Sequence, residues 1–523
     1  MTSPKSAVPM SSIRLAVMTL TLVIPAMMQV LDSAVMSVAL TQMQGTLQAA
    51  QDQVAWVLTS YLIAVALLTP LWGALAGRFG RKPLFLFAIF GFTAFSFLSG
   101  QSDSLTEICI MRFLQGMFGA ALVPYSQSSL YSLYKKDHHG IAMSWWGVGI
   151  MVGPVLGPTL GGYITELYNW RFVFFLNLPI GSLAFVLLWV LMPGTGEVRG
   201  RPFSYLGYVT LVLAVASLQF VLDRGERLDW FSSPLIIVLA GGAVALLWVF
   251  VVDSVTSDKP FIDPSILRNR NFVCGMGLRV VFGILLFGSL VLIPPFLQKI
   301  GGYPILESGL ILAPRGLATM VASIIAGRMV GKVDPRKMIA FGMMCGLSSL
   351  WLMSFLTPDS SRETLVALIM MQGFGFAFFF VPLSIATFSQ MSPGQRDTGT
   401  SFFALTGNIG RSVGIALVAG FLVRNSQTNR AVLNEYISPF NPALGHLILP
   451  DRWNLSDIAG LASLNQEVSR QAAIIGYSND FRLLAVIVLC CMPLLLLMGN
   501  PNRQSRPSLP DTARQPGAVS NRI

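Results

Sequence analysis

Fourteen apolar runs dominate this chain and leave it one environment in which to fold. They lie near residues 14–38, 54–76, 84–101, 105–131, 141–163, 172–192, 204–222, 234–252, 272–296, 306–330, 338–356, 363–388, 399–423 and 481–499. Each is close to the roughly 20 residues that a helix needs to cross the hydrocarbon core of a bilayer. In lipid every backbone N–H and C=O must find a partner within the protein, so runs of this length form helices. Charged residues make up only 11% of the chain, against about 25% in a soluble protein. The fold class expected is an all-α polytopic membrane protein with 14 transmembrane helices.

A net charge of +11 invites a nucleic-acid reading. The basic residues lie in short loops between the apolar runs, where they set orientation, and no nucleic-acid partner is implied. With a cytoplasmic N-terminus, 21 Lys and Arg fall on one side and 10 on the other, with four more inside spans. This asymmetry, with an even number of spans, puts both termini in the cytoplasm. The first run holds Asp32 and has no small-residue cleavage site after it, so it reads as an anchor that is kept. Cys109, Cys274, Cys345, Cys490 and Cys491 show no metal or redox spacing and read as small hydrophobes. His138, His139 and His446 fall in loops. With no metal site, cofactor site or nucleophile motif in the spans, an enzyme is not expected.

The chain repeats itself. QGMFGAALVP at 115–124, in span 4, returns as QGFGFAFFFVP at 372–382, in span 12. GRFGRK after span 2 returns as GRMVGKVDPRK after span 10. The offsets of 257 and 250 residues set span n opposite span n+8. Residues 14–192 and 272–499 are then two six-helix halves, and 193–271 is a linker with two inserted helices. Tails at 1–13 and 500–523 are expected in the cytoplasm, the second of them disordered, and an outer loop at 424–480. Repeated halves are a transporter signature, with the substrate path at their interface.

Residues 147–162 read GVGIMVGPVLGPTLGG. Gly149, Gly153, Gly157 and Gly161 recur every four residues, Gly162 follows, and Pro154 and Pro158 share the interval. On a helix this spacing makes one bare stripe. In water each interior Pro costs about 3 kcal/mol, whereas a membrane tolerates both residue types and small side chains let helices touch. The stripe is expected at the seam between the halves.

Asp32, inside span 1, is the strongest candidate for chemistry, because an acid within the membrane is expensive and needs a reason. Gln29, Asp32, Ser33 and Met36 share one helical face, and Gln29, Ser33 and Met36, with Gln115, Arg279, Asn408 and Arg411, are candidates to line the substrate cavity. A buried carboxyl disfavours charge, which suits reversible proton binding; the other reading is that Asp32 only holds span 1 to a neighbour. Arg112 in span 4, with Gln115 on its face, must pair with an acid, a carbonyl or water, and Asp32 is a plausible partner. It either helps move a proton or forms a fixed pair. Arg279 and Arg411 either face a water-filled path or are fixed structurally, Asn408 is placed to bond across helices, and Arg315 is expected near an interface. GALAGRFGRK at 73–82 supplies Gly73, Gly77, Arg78, Gly80, Arg81 and Lys82. It lacks the P-loop pattern and reads as a gating hinge.

Together these motifs resemble the major facilitator superfamily, in particular its fourteen-span drug:proton antiporter branch of the EmrB/QacA type, and the likeness extends to Gram-negative EmrB-like exporters. VLDSAVMSVAL (30–40) resembles the branch's first-helix motif, whose acid falls on Asp32. GALAGRFGRK resembles the loop 2–3 signature, and RFLQGMFGAA (112–121) the span 4 motif, whose Arg falls on Arg112. GIMVGPVLGPTLGG (149–162) resembles the antiporter motif of span 5. WRFVFFLNLPIG (170–181), LQFVLDRGERLDWF (218–231) and SPFNP (438–442) are similar to stretches of the same branch. The signature usually carries an acid where this chain has Gly77, so its usual charge relay is not built there.

The resemblance implies export of small, lipophilic or amphiphilic compounds (multidrug efflux), driven by the proton gradient with no cofactor, across a bacterial inner membrane. It also implies a periplasmic adaptor and an outer-membrane channel as partners, with 424–480 as a place to meet the adaptor. Asp32 stands nearly alone mid-membrane in this reading, which favours neutral, anionic or lipophilic substrates over dications. An exporter of one metabolite, siderophore or lipid fits the same fold. A non-transporting sensor or scaffold would call for a signalling domain, and none is seen.

Overall fold

A computed structural model describes residues 12–194, 204–437, 453 and 457–499. The 500–523 tail, most of the 1–13 tail, part of the linker, SPFNP at 438–442 and His446 lie outside the described residues, as does the side chain of Pro158. The described chain is helical, its one β-bridge joining Val330 and Val333.

The first half holds α1 (Ser12–Thr46), α2 (Trp56–Phe79), α3 (Arg81–Gln101), α4 (Leu105–Gly119), α5 (Leu122–Leu133), α6 (His139–Leu167) and α7 (Asn177–Leu191). Two inserted helices follow, α8 (Tyr205–Arg224) and α9 (Pro234–Thr256). The second half holds α10 (Arg270–Pro295), α11 (Ile305–Met329), α12 (Pro335–Met353), α13 (Arg362–Phe388), α14 (Arg396–Tyr436) and α15 (Ile458–Cys491). Among the described residues thirteen spans are long and apolar enough to cross a membrane. The fourteenth expected span is α12, diluted by Arg336 and Lys337 in its first turn and by Gly342 and Gly346.

Three elements differ from expectation. Span 4 is two helices, α4 and α5, broken at Ala120–Ala121 just after Gly119. The outer loop expected at 424–480 is helical at both ends, because α14 runs on to Tyr436 and α15 begins at Ile458. These extensions are polar and so carry no apolar-run signal; Arg430 bonds to Asn465 at 3.0 Å and Asn479 to Asn425 at 3.2 Å. The third is the partner of the glycine stripe. A Cβ added at Gly149 would strike Val23, at Gly153 Val30 and Leu31, at Gly157 Ala34, and at Gly161 Val35. The stripe therefore packs on α1 within the first half, not at the seam. Four-residue spacing defines a face but does not name its neighbour.

The seam uses another face of α6. Gly140 meets the carbonyl of Gly327, Gly147 meets Ser323, and Val155 presses on Gly316 of α11. At the α2–α14 contact, Gly73 sits against Ser401. Inserted α8 lies against α2 and α14, with Gln219 donating to Ser412, while α9 packs mainly on α8. Much of α9 is exposed apolar surface, as a lipid-facing helix requires.

Candidate functional site

Asp32 is fully enclosed in the middle of the first half, with its side chain 0% exposed. α1 brings it there, flanked from behind by the bare stripe of α6, where Gly153 and Gly157 touch Leu31 and Ala34 on either side of it. Three donors converge on the carboxylate. Arg112 Nη1 donates to Oδ2 at 2.7 Å, while Gln115 Nε2 at 3.1 Å and Asn177 Nδ2 at 2.7 Å donate to Oδ1. Arg112 also donates to Gln115 Oε1 at 2.8 Å and to the Val57 carbonyl at 3.3 Å. Its guanidinium lies over the Tyr61 ring, 4.2 Å from the centroid. Asn177 is held in turn by Ser96, to which it donates at 3.0 Å.

Removing two charges from water costs several kcal/mol each unless the pair is close and its other polar atoms are bonded. Here the geometry meets most of that demand, although Arg112 Nη2 has no partner. The node ties α1 to α4 and α7.

The structure brings Asp32, Arg112 and Gln115 together. Gln29 is buried on the same helix with its Oε1 unpartnered, Ser33 donates to the Gln29 carbonyl at 3.2 Å, and Met36 is buried. Asn177 was not singled out from the sequence; the available signal was one amide within an otherwise apolar helix start, NLPIGSLAFVLL.

One expectation is corrected in the second half, and one enclosed acid was missed: Asp480 on α15 is 0% exposed, and neither carboxylate oxygen has a hydrogen-bond partner, while its neighbours Ser478 and Arg482 bond to Ser354 at the end of α12. Asp480 falls at the edge of the last apolar run and enters the bundle because α15 starts earlier than that run. Arg315, expected near an interface, is buried; it donates to Ser289 at 2.9 Å and lies over the Phe376 ring. The repeat explains its place. A Cβ at Gly116 would meet the Tyr61 carbonyl, and one at Gly373 would meet the Arg315 carbonyl. Arg315 thus takes in the second half the position that Tyr61 takes in the first. Gln372, which matches Gln115 in the repeat, is buried with both amide atoms unpartnered.

The Arg279 side chain crosses to α14 and lies on Gly407, one helical turn before Arg411. The Asn408 carbonyl accepts from Ser412 at 3.3 Å.

The gating segment closes one end of the seam. Gly80, at φ 85°, makes the one-residue turn between α2 and α3, a conformation open to glycine at no steric cost. Arg81 then makes two bonds to Asp397 of α14, Nε to Oδ1 at 2.8 Å and Nη2 to Oδ2 at 3.0 Å. Arg396 donates to the Tyr131 carbonyl at 2.7 Å. Lys82 caps the end of α7 through the Trp189 carbonyl at 2.8 Å. Arg78 lies against Phe79, and nothing comes within 4 Å of a Cβ added at Gly77. A charge lock between the halves is therefore present, made by Arg81 and Asp397 without an acid at 77.

Comparison with known proteins places this geometry. The family model described as Major Facilitator Superfamily matches residues 22–415. The chain is 33% identical to the multidrug export protein EmrB of Escherichia coli (strain K12), over 93% of this chain and 96% of that protein. It is 32% identical to the fatty acid resistance protein FarB of Neisseria gonorrhoeae, over 94% and 98%. Among solved structures, the human organic anion transporter MFSD10 (TETRAN) superposes with a TM-score of 0.58 at 15% identity, covering 92% of this chain and 100% of that one. The proton:xylose symporter XylE superposes with a TM-score of 0.58 at 14% identity, covering 94% and 100%. At these identities the structural likeness shows the fold alone.

Proposed function

We propose that this chain, which belongs to the Major Facilitator Superfamily and resembles its EmrB-type members, exports small lipophilic or amphiphilic compounds in exchange for protons. Fold and family support a membrane transporter rather than an enzyme. The relatives named as multidrug exporters support multidrug efflux as its task.

The observation that carries the reading is the enclosed Asp32 node. Ionised, Asp32 holds Arg112, Gln115 and Asn177 and so ties α1 to α4 and α7. A proton on the carboxyl removes the charge that attracts Arg112. The two helices are then held less tightly to α1, and α1 shifts along the bare stripe of α6. At the far end, the Arg81–Asp397 lock and the contact of Gly140 with Gly327 close the seam. With both termini in the cytoplasm, that closed end is the inner one. The proton gradient supplies the energy without a cofactor. On the outer side α14 runs 13 residues beyond the expected span end, from 423 to Tyr436, which is about 20 Å of helix. Braced by α15, it offers a rigid post for a periplasmic adaptor that leads to an outer-membrane channel.

The test is efflux of a panel of lipophilic compounds from cells, with and without a proton uncoupler, for wild type and Asp32→Asn. Uncoupler and substitution should each abolish efflux. Normal pumping by the variant removes Asp32 from the mechanism.

A further inference from the structure

Among the described residues two acids are fully enclosed, and they meet opposite surroundings. Asp32 has three donors, one of them a guanidinium. Asp480 has none: both of its oxygens are buried and unpartnered. A carboxylate with no donor is far costlier to enclose than a neutral carboxyl, so the group keeps its proton instead. Asp32 is built to hold a charge, and Asp480 to hold a proton.

The neighbours of α15 show which way Asp480 points. On the α12 side, Ser478 donates to the Ser354 carbonyl and Arg482 to the Ser354 hydroxyl at 3.4 Å. On the α14 side, Asn479 donates to Asn425 at 3.2 Å, and a Cβ at Gly476 would touch Ser426 and Leu422. On the α10 side, the rings of Tyr477 and Phe481 lie 5.5 and 5.9 Å from Phe296, just past the end of α10. Asp480 is four residues after Gly476 and three after Tyr477, one turn from each, so it lies on the edge between α14 and α10. One turn further on, Leu484 and Val418 close over Gly288 of α10.

A cleft of about 300 Å³ enters between the same elements one turn above Asp480. Lys299, Ser426, Gln427, Ala473 and Tyr477 are among its lining residues. It lies at the end of the bundle away from the Arg81–Asp397 lock, because Ser426 stands on α14 roughly 40 Å of helix beyond Asp397. Tyr477 lines the cleft and Asp480 does not, so the turn that carries Tyr477 is the floor between them.

We propose that Asp480 is a second proton-binding site, separate from Asp32, and that it takes and gives its proton through this cleft. Its ligand is a proton delivered by water from the side away from the lock. Loaded, the carboxyl is neutral and α15 closes on α10 and α14. Unloaded, the carboxylate needs water or a cation, and the cation at the cleft is Lys299; the turn carrying Tyr477 then yields and the cleft deepens. The other charges at this level are turned elsewhere: Arg482 is bonded to Ser354 and Arg424 is exposed, while the ends of α10 and α12 carry no charged residue there. The exporter reading serves only to call that side the outer one.

Infrared spectra of the full chain in lipid nanodiscs read the carbonyl stretch of a protonated carboxyl directly. At neutral pH wild type and Asp32→Asn should both show that band, and Asp480→Asn should lack it. Raising the pH should remove the band from wild type. Over the same range hydrogen–deuterium exchange of residues 473–484, corrected for intrinsic rates, should rise at least tenfold in wild type and stay level in Asp480→Asn. Lys299→Glu should move the midpoint up by about half a pH unit or more, since the carboxylate then faces a like charge. A band that survives in Asp480→Asn, or exchange that rises equally in both proteins, overturns the site. A midpoint that ignores Lys299→Glu overturns the cleft as its route. None of these readings needs transport. A chain that shows them and moves no compound sinks the exporter reading and leaves Asp480; a chain that exports with Asp480 ionised at neutral pH sinks the site and leaves the exporter.

Discussion

At the scale of single residues, Asp32 is held by donors from two helices, and the donors are not equivalent. Arg112 supplies the opposite charge, whereas Gln115 and Asn177 supply only hydrogen bonds. Removing Asn177 as Asn177→Leu should cost about 1.5–3 kcal/mol, the range for a hydrogen bond to a charged group. Thermal unfolding of the purified protein checks this, and an unchanged midpoint would show that the bond contributes nothing. Arg112→Ala should be worse, about 3–5 kcal/mol, because it leaves the carboxylate buried and unpaired. Adding Asp32→Asn to Arg112→Ala should recover much of that stability but no transport.

Asp32 and Arg112 were legible in the sequence because charge inside an apolar run is rare and needs a partner. Asn177 was not, since an amide in a span is as often a local bond as a site. Asp480 escaped because it borders an apolar run, and only the start of α15 at Ile458 shows that it is enclosed.

At the scale of elements, α1 and α6 form the closest helix pair of the first half. A Cβ at Gly153 would lie 2.8 Å from Val30 Cγ1 and 2.9 Å from the Leu31 nitrogen. Gly153→Leu should therefore push α1 away and displace Asp32 from its donors. Overpacking of this kind costs about 1–3 kcal/mol. We expect efflux to fall at least tenfold while the protein still inserts, as measured by membrane abundance. Gly162→Ala is the control, because nothing lies within 4 Å of the added atom; its efflux should stay within twofold. The stripe was fully legible as a stripe, since four-residue recurrence needs no structure. Its partner was not, because both α1 and the second half are rich in small and branched residues. Periodicity gives the direction of a face and leaves its neighbour open.

At the scale of the whole molecule, two halves related by an internal repeat meet along α6–α11 and α2–α14, and Arg81–Asp397 closes one end of that seam. The halves were legible from two motif pairs, and span order followed from counting. The lock was not, because Arg81 and Asp397 are 316 residues apart. Arg81→Asp should lower efflux strongly, and Asp397→Arg in the same chain should restore part of it; no rescue would mean that Arg81 acts through Ser128 and Ser132 instead. Gly77→Asp, which supplies the acid usual at that place, has room and should leave efflux within twofold.

All of these effects pass through one claim, that proton and substrate are exchanged at the Asp32 node. Substrate-induced proton release tests it most directly. The purified protein, in weakly buffered detergent solution with a pH indicator, is given a transported compound. Wild type should release close to one proton per chain, and Asp32→Asn none while still binding the compound. Equal release from the variant, or binding by wild type with no release at any pH, would contradict the account.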